Sequence, residues 1–216
     1  DRDWSSDVCS SDLLDKNLWL LTTLNGTLNL RTGSFLPHDR RHLITKQIPI
    51  LYDPQATCPQ WEQFLLSVMG GDEEIVDFLW KAIGYSLTGS TQEDCLFLLY
   101  GAGANGKSTF QNVLRALMGD YGRQSEFSTL LHQERDTVRN DLADLRGARL
   151  VTAGETEKDK RLSESVVKQL TGRDRIKARF LFQEYFEFTP HMKLWIAANY
   201  KPIIRGQDYG IWRDRK

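Results

Sequence analysis

The chain has 216 residues, 40% hydrophobic and 26% charged, with 28 Lys and Arg against 29 Asp and Glu for a net charge of −1. These are ordinary values for a globular chain with one sizeable core, or a core plus a small appendage. No apolar run reaches the length of a membrane span, the opening residues do not read as a signal peptide, and Cys9, Cys58 and Cys95 have neither metal spacing nor a disulfide framework, so a reducing cytoplasm is the expected compartment.

The two ends differ in character from the rest. The opening "RDWSSDVCSSDL" is polar and rich in Ser and Asp, and it resembles the conceptual translation of a sequencing-library adapter. Asp214-Arg215-Lys216 fits the reverse complement of part of the same adapter. Residues 1–13 and 214–216 are therefore expected to be non-biological tails, to be left out of fold reasoning. Without them the body is close to neutral.

Residues 14–90 read as an N-terminal module. Asn25-Gly26 and Thr32-Gly33 are hairpin-type turn signals between β-leaning runs. "WEQFLLSVMG" and "DEEIVDFLWKAIGYSLTG" read as amphipathic helices. Phe64, Leu65 and Val68 share a face of the first; Ile75, Phe78, Leu79, Ala82 and Ile83 share a face of the second. Asp72 is a good helix start and Gly89 a good stop. The Trp and Phe residues here are expected in the core, and no catalytic constellation is visible.

Residues 91–213 alternate strands with helices, which points to an α/β architecture with a largely parallel sheet. Leu96–Tyr100 is almost wholly apolar, as a strand buried on both faces would be. Gly101-Ala-Gly-Ala-Asn-Gly106-Lys107-Ser108 follows, and then Phe110, Val113, Leu114 and Leu117 recur at helical spacing up to Gly119. This is the P-loop pattern, set between a strand and a helix as its mechanism requires. Glycines at 101, 103 and 106 let backbone N–H groups curl around an anion, and the helix N-terminus adds positive potential. Gly101, Gly103, Asn105, Gly106, Lys107, Ser108 and Thr109 are the expected nucleotide-binding residues. Lys107 reaches the β- and γ-phosphates, and Ser108 ligates Mg²⁺. The same letters fit a dinucleotide fingerprint, but that reading wants an acid ending the second strand roughly 20 residues on, and Asp120 lies in a turn. The Lys-Ser pair is required by a triphosphate and unexplained by a dinucleotide.

After a polar connection, a strand over 148–154 ends at Glu155, with Glu157 two residues later. In an open α/β sheet, ligands lie off the carboxyl ends of strands. One of these carboxylates is expected to hold the metal shell and the other to orient and deprotonate water, with Glu155 the main candidate. A helix over 163–171, a β-rich piece over 175–189 and a strand over 193–198 follow. The last of these ends at Asn199, which can position water or report phosphate state. Residues 158–179 carry eight basic and three acidic side chains, either a phosphate-backbone contact or a solvated face.

With these residues in place, the chain resembles a superfamily 3 helicase of the phage and plasmid primase–helicase kind, related to the poxvirus primase–helicase. The matching pieces are "GAGANGKST", "LVTAGETE", "VKQLTGRDRIKAR", "KLWIAANYKP" and "GQDYGIWR", in that family's order. The upstream "YDPQATCPQWEQFL" and "GYSLTGSTQED" resemble its N-terminal helical module. The resemblance implies a P-loop NTPase of the AAA+ kind that uses ATP and Mg²⁺, assembles as a homo-hexamer around single-stranded DNA and works with a primase domain or partner in a bacterial host cytoplasm. It implies an arginine finger from a neighbouring subunit; Arg213 matches the family's Trp-Arg segment and Arg205 is second choice. Asp214 stands where the family has a second Arg, so the last core strand is expected to be missing. It also implies that "DRIKARFLFQEYFEF" is a hairpin lining the ring channel, with Lys177 and Arg179 on DNA phosphates and Gln183-Glu184 at the tip. Phe180, Phe182 and Phe186 are expected to pack rather than stack on bases. Lys168, on the preceding helix, faces either the nucleotide or the channel. Two alternatives stay open: a P-loop kinase acting on a small molecule, and a nucleotide-dependent assembly module with little turnover.

Overall fold

The computed structural model describes residues 13–131, 140–154 and 162–201. Glu155, Glu157, Arg205, Arg213 and nearly all of the two terminal tails lie outside the described residues.

The N-terminal segment forms a small antiparallel sheet of β1 (Leu20–Thr23), β2 (Gly26–Asn29) and β3 (Phe35–Leu36). The first turn is Leu24-Asn25, one residue earlier than the Asn-Gly signal suggests, because Thr23 pairs with Gly26. Asn25 holds the turn by accepting from Thr23 Oγ1 and bonding both backbone groups of Tyr52. Gly26 instead provides room: a Cβ there would lie 2.5 Å from the Phe35 ring.

Two helices follow, α1 (Pro59–Val68) and α2 (Glu73–Leu87). Pro59 sits in the first turn of α1, and the Asp72 side chain caps α2 by accepting from Ile75 N–H. The face of α2 is turned by about one position from the expected one. Val76, Leu79, Ala82, Ile83 and Ser86 are buried, whereas Ile75 and Phe78 are exposed.

The main sheet is parallel, in the order β4 (Leu96–Tyr100), β9 (Lys193–Ala198), β6 (Leu150–Gly154), β5 (Gly122–Glu126). From β4 the chain passes through α3 (Lys107–Met118) to β5 at the far edge. It then returns by α4 (Asn140–Ala143), β6, α5 (Glu164–Thr171) and the hairpin β7 (Ile176–Ala178)–β8 (Phe186–Phe188) to β9. This crossing order makes the carboxyl ends of β4, β6 and β9 neighbours, the usual place for a ligand in such a sheet. β4 is not buried on both faces. Among the described residues it is the sheet edge, and Leu98 and Tyr100 are exposed.

Alternate residues of the central strands serve two cores, as a period of two requires. Val151, Ala153, Leu194 and Ile196 face one core with α4, α5 and the hairpin. Leu150 and Trp195 face the other, built from α3, α1, α2 and Leu21 and Ile48 of the N-terminal segment. Rings of the second core touch in a chain, Trp61–Phe110–Trp195–Phe97–Phe78.

Buried cations close the amino end of the sheet. Arg149 donates to the carbonyls of Leu87, Asn17 and Leu20 and lies over the Tyr121 ring. Lys193 donates to the carbonyls of Thr88, Ser90 and His191. Burial, and then the charge of Arg149, pushes Lys193 down to about 7. The same two causes, with the charges of Lys193 and Lys16, hold His191 near 4. These groups stitch the N-terminal segment to the sheet, at the end opposite the Gly101–Ser108 loop.

Candidate functional site

A cavity of about 270 Å³ opens at the carboxyl edge of the sheet. Residues 103–109, Gln111, Gly154, Ala197 and Asn199 line it. The loop after β4, the end of β6 and the end of β9 thus meet at one place. Of the expected nucleotide-binding residues, Gly103, Asn105, Gly106, Lys107, Ser108 and Thr109 line the cavity, and Gly101 begins the loop. Asn199 joins them. Glu155 lies outside the described residues, directly after the lining residue Gly154.

The loop geometry follows from its glycines. Gly106 has φ +81°, in the left-handed region that a Cβ disfavours. A Cβ there would also lie 2.7 Å from Val68 Cγ1 and 3.1 Å from the Phe64 ring, so α1 buttresses the loop from behind. Gly106 is the N-cap of α3, no side chain caps that end, and the first turn carries no acid. A 12-residue helix therefore presents its N-terminus to the cavity with no side-chain cap and no acid in its first turn among the described residues. Lys107 folds back into the loop, where Nζ donates to Gly101 O at 2.6 Å, Ala102 O at 3.1 Å and Asn105 Oδ1 at 2.8 Å. A cation, an uncapped helix start and Cβ-free backbone converge on the cavity, and Ser108 and Thr109 add exposed hydroxyls. This set suits an anion with several oxygens.

Asp120 does not take part. It lies in a short 3₁₀ turn after α3, and its carboxylate accepts from Gln47 N–H.

One lining residue escapes the motif reading. Gln111 is buried, and its Nε2 donates to Trp195 O at 2.8 Å and Ala153 O at 3.2 Å. It ties α3 to β6 and β9 one residue short of the end of β6 and so fixes the loop against the strand ends. The inward face of α3 is Phe110, Gln111, Leu114 and Met118, while the expected Val113 is exposed. The available signal was Gln111 standing three and seven residues before Leu114 and Met118, on their stripe.

The basic hairpin forms as expected, with Ile176 and Ala178 buried and Lys177 exposed. Its turn is not at Gln183-Glu184. Gln183 N–H bonds back to Phe180 O, which puts Leu181-Phe182 at the tip. Phe180 stacks on Phe186, as expected of packing rings, but Phe182 is 98% exposed. Lys168 lies half-buried on α5.

Comparisons with known proteins bear on this arrangement. The model of the family described as "Family of unknown function (DUF5906)" matches residues 99–215, more than half of the chain. The model described as "D5 N terminal like" matches residues 7–70. The chain belongs to the DUF5906 family and is a D5-like primase–helicase relative. A protein of Acanthamoeba polyphaga mimivirus named "Putative helicase L207/L206" is 30% identical over 211 residues, covering 94% of this chain and 22% of that one. "Putative primase C962R" of an African swine fever virus isolate is 27% identical over 208 residues, with 93% and 22% covered. "Putative helicase 121R" of Invertebrate iridescent virus 3 is 27% identical over 213 residues, with 94% and 22% covered. The D5-like chain thus spans about a fifth of the length of these viral relatives. Among solved structures, the apo NrS-1 C-terminal region superposes with a TM-score of 0.60 at 11% identity, over 75% of this chain and 38% of that one, and so shares the fold. Among the described residues, no helix of this D5-like chain is long and apolar enough to cross a membrane.

Proposed function

We propose that the chain is the motor part of an ATP-dependent DNA helicase of the superfamily 3, AAA+ kind, serving replication of a virus, phage or plasmid. The observation that carries this reading is the meeting of the Gly101–Ser108 loop, the end of β6 and Asn199 at one cavity. In this reading the loop is a P-loop. Its backbone and the start of α3 bind the β- and γ-phosphates of ATP, and Lys107 turns from its own loop carbonyls to the same oxygens. Ser108 and Glu155 would hold Mg²⁺, which when bound neutralises charge developing on the phosphates. Glu155 and Glu157 orient and deprotonate the attacking water, and Asn199 faces it from the end of β9. Arg213 of a neighbouring copy acts as arginine finger in a homo-hexamer. Lys177 and Arg179 contact single-stranded DNA phosphates in the ring channel, and a primase domain or partner works alongside.

The test is ATP hydrolysis by the full chain with and without single-stranded DNA. Stimulation by DNA, abolished by Lys107→Ala and by Glu155→Gln, supports the reading. ADP release that depends on a small-molecule acceptor instead makes the chain a kinase. ATP binding without turnover makes it an assembly module, and full turnover in both variants overturns the site.

A further inference from the structure

The tip of the β7–β8 hairpin carries a feature that packing does not explain. Phe182 is a bulky residue with φ +64°, in the left-handed region, where such side chains are strained. Its ring is 98% exposed, and its neighbour Leu181 is 60% exposed. A strained backbone that delivers an apolar ring wholly into water opposes both local preference and burial, a combination that clusters at binding sites. The rest of the tip is ordered around it. Gln183 N–H closes the turn on Phe180 O, Leu181 N–H is held by Asn140 Oδ1, and Phe180 stacks on Phe186. The protruding ring therefore stands on a braced support.

The second observation is the charge beneath it. Lys177 Nζ lies 4.9 Å from the centroid of the Tyr185 ring, and the Arg179 guanidinium lies 4.7 Å from it. One aromatic ring thus gathers two cations just below the tip, and Arg179 Nε is buried with no hydrogen-bond partner among the described residues. Glu187 lies across from Lys177 in the ladder and is within 3.7 Å of Arg175. A free apolar ring above paired cations matches single-stranded nucleic acid, whose bases offer flat faces and whose backbone offers anions at nucleotide spacing. An apolar protein groove would take the ring but leave the cations without anions.

We propose that Phe182 is a base-stacking contact for single-stranded DNA, with Lys177 and Arg179, gathered on Tyr185, holding the adjoining phosphates. This rests on the helicase reading above and adds to it a contact with the bases themselves.

The test is binding of the full chain to fluorescent oligo(dT), and to the same oligonucleotide with scattered abasic sites, across a salt series. Phe182→Ala is expected to weaken oligo(dT) binding about 5- to 150-fold, the range for losing one stacked base, with an unchanged salt slope. Phe182→Asn, which tolerates the left-handed turn, is expected to do the same, and Phe182→Tyr to restore binding. The wild-type chain is expected to lose affinity for the abasic strand while Phe182→Ala does not. Lys177→Ala is expected to lower the salt slope by about one. If Phe182→Ala binds oligo(dT) like the wild type while Lys177→Ala weakens it, the helicase reading stands and the stacking contact falls. If Phe182→Ala binds oligo(dT) normally but lowers the association of copies of the chain, the ring serves a protein contact and the proposal falls. If the wild-type chain binds no oligonucleotide even at low salt, both fall.

Discussion

Replacing Gly106 by Ala tests whether α1 sets the shape of the Gly101–Ser108 loop. Two penalties can be read from the structure. An L-residue at φ +81° costs about 1–2 kcal/mol. A Cβ 2.7 Å from Val68 Cγ1 and 3.1 Å from the Phe64 ring forces one partner to move, at about 1–3 kcal/mol. Their sum, about 2–5 kcal/mol, is an upper bound on lost stability, because the loop can swing away from α1 instead. In that case the melting temperature falls by only a few degrees while affinity for a fluorescent ATP analogue falls at least tenfold. The second variant is Val68→Ala, which removes the nearer methyl. In the double variant the 2.7 Å clash with Val68 disappears, while the tight contact with the Phe64 ring and the backbone penalty remain. A double-mutant cycle on nucleotide affinity should therefore show about 1–2 kcal/mol of favourable coupling. Strict additivity would refute the buttress, and an unchanged affinity in Gly106→Ala would refute the loop's part in binding.

Three further outcomes are expected. Arg149→Met leaves the carbonyls of Asn17, Leu20 and Leu87 without their donor, and urea unfolding should show a loss of about 2–4 kcal/mol, reduced from a larger sum because a buried charge is removed as well. His191 has a folded value near 4, below its ordinary 6.5, so the unfolded chain takes up more protons between those values; stability should fall by about 3 kcal/mol as pH drops from 6.5 to 4, a slope that His191→Gln flattens. Lys193 does not contribute in that window, since its lowered value makes stability rise with pH only above about 7. Gln111→Leu keeps the volume but loses both bonds to the strand ends; unfolding should change by less than about 2 kcal/mol while ATP turnover drops more than tenfold, and equal losses in both would reduce Gln111 to a stabilising role.

Much of this fold is legible because its strongest signals are local. The Gly101–Ser108 loop announces itself by backbone chemistry, α2 by the Asp72 cap, and β9 by an apolar run that is buried throughout. β5 is not legible. "GRQSE" has one turn-former and four polar residues, yet it pairs with β6 along its whole length, because an edge strand needs only its backbone to join a ladder. The turned faces of α2 and α3 are missed for another reason. Apolar spacing gives a stripe to within one residue, and the sheet beneath decides which neighbour points inward. Gln111 wins a buried place over Val113 because strand-end carbonyls reward an amide there. Phe182 inverts the same lesson: an apolar residue in an alternating run reads as packing, and only the position of the turn shows that no described residue covers it.

The segment before β4 has a larger part in the site than its composition suggests. Among the described residues it contributes no polar group to the cavity. Yet Phe64 and Val68 of α1 back directly onto Gly106, and Trp61 stacks on Phe110, one turn into the helix that begins at the loop. Phe110 in turn touches Trp195, the residue whose carbonyl receives Gln111 and whose indole N–H bonds to Ser86 of α2. Close-packed interiors have low compressibility, so a displacement of one ring is passed to its neighbours rather than absorbed. A shift of α1 by a fraction of an ångström must therefore move the loop, or α3, or both. Phe64, Val68 and Trp61 thus tie the position of α1 to the geometry of the Gly101–Ser108 loop.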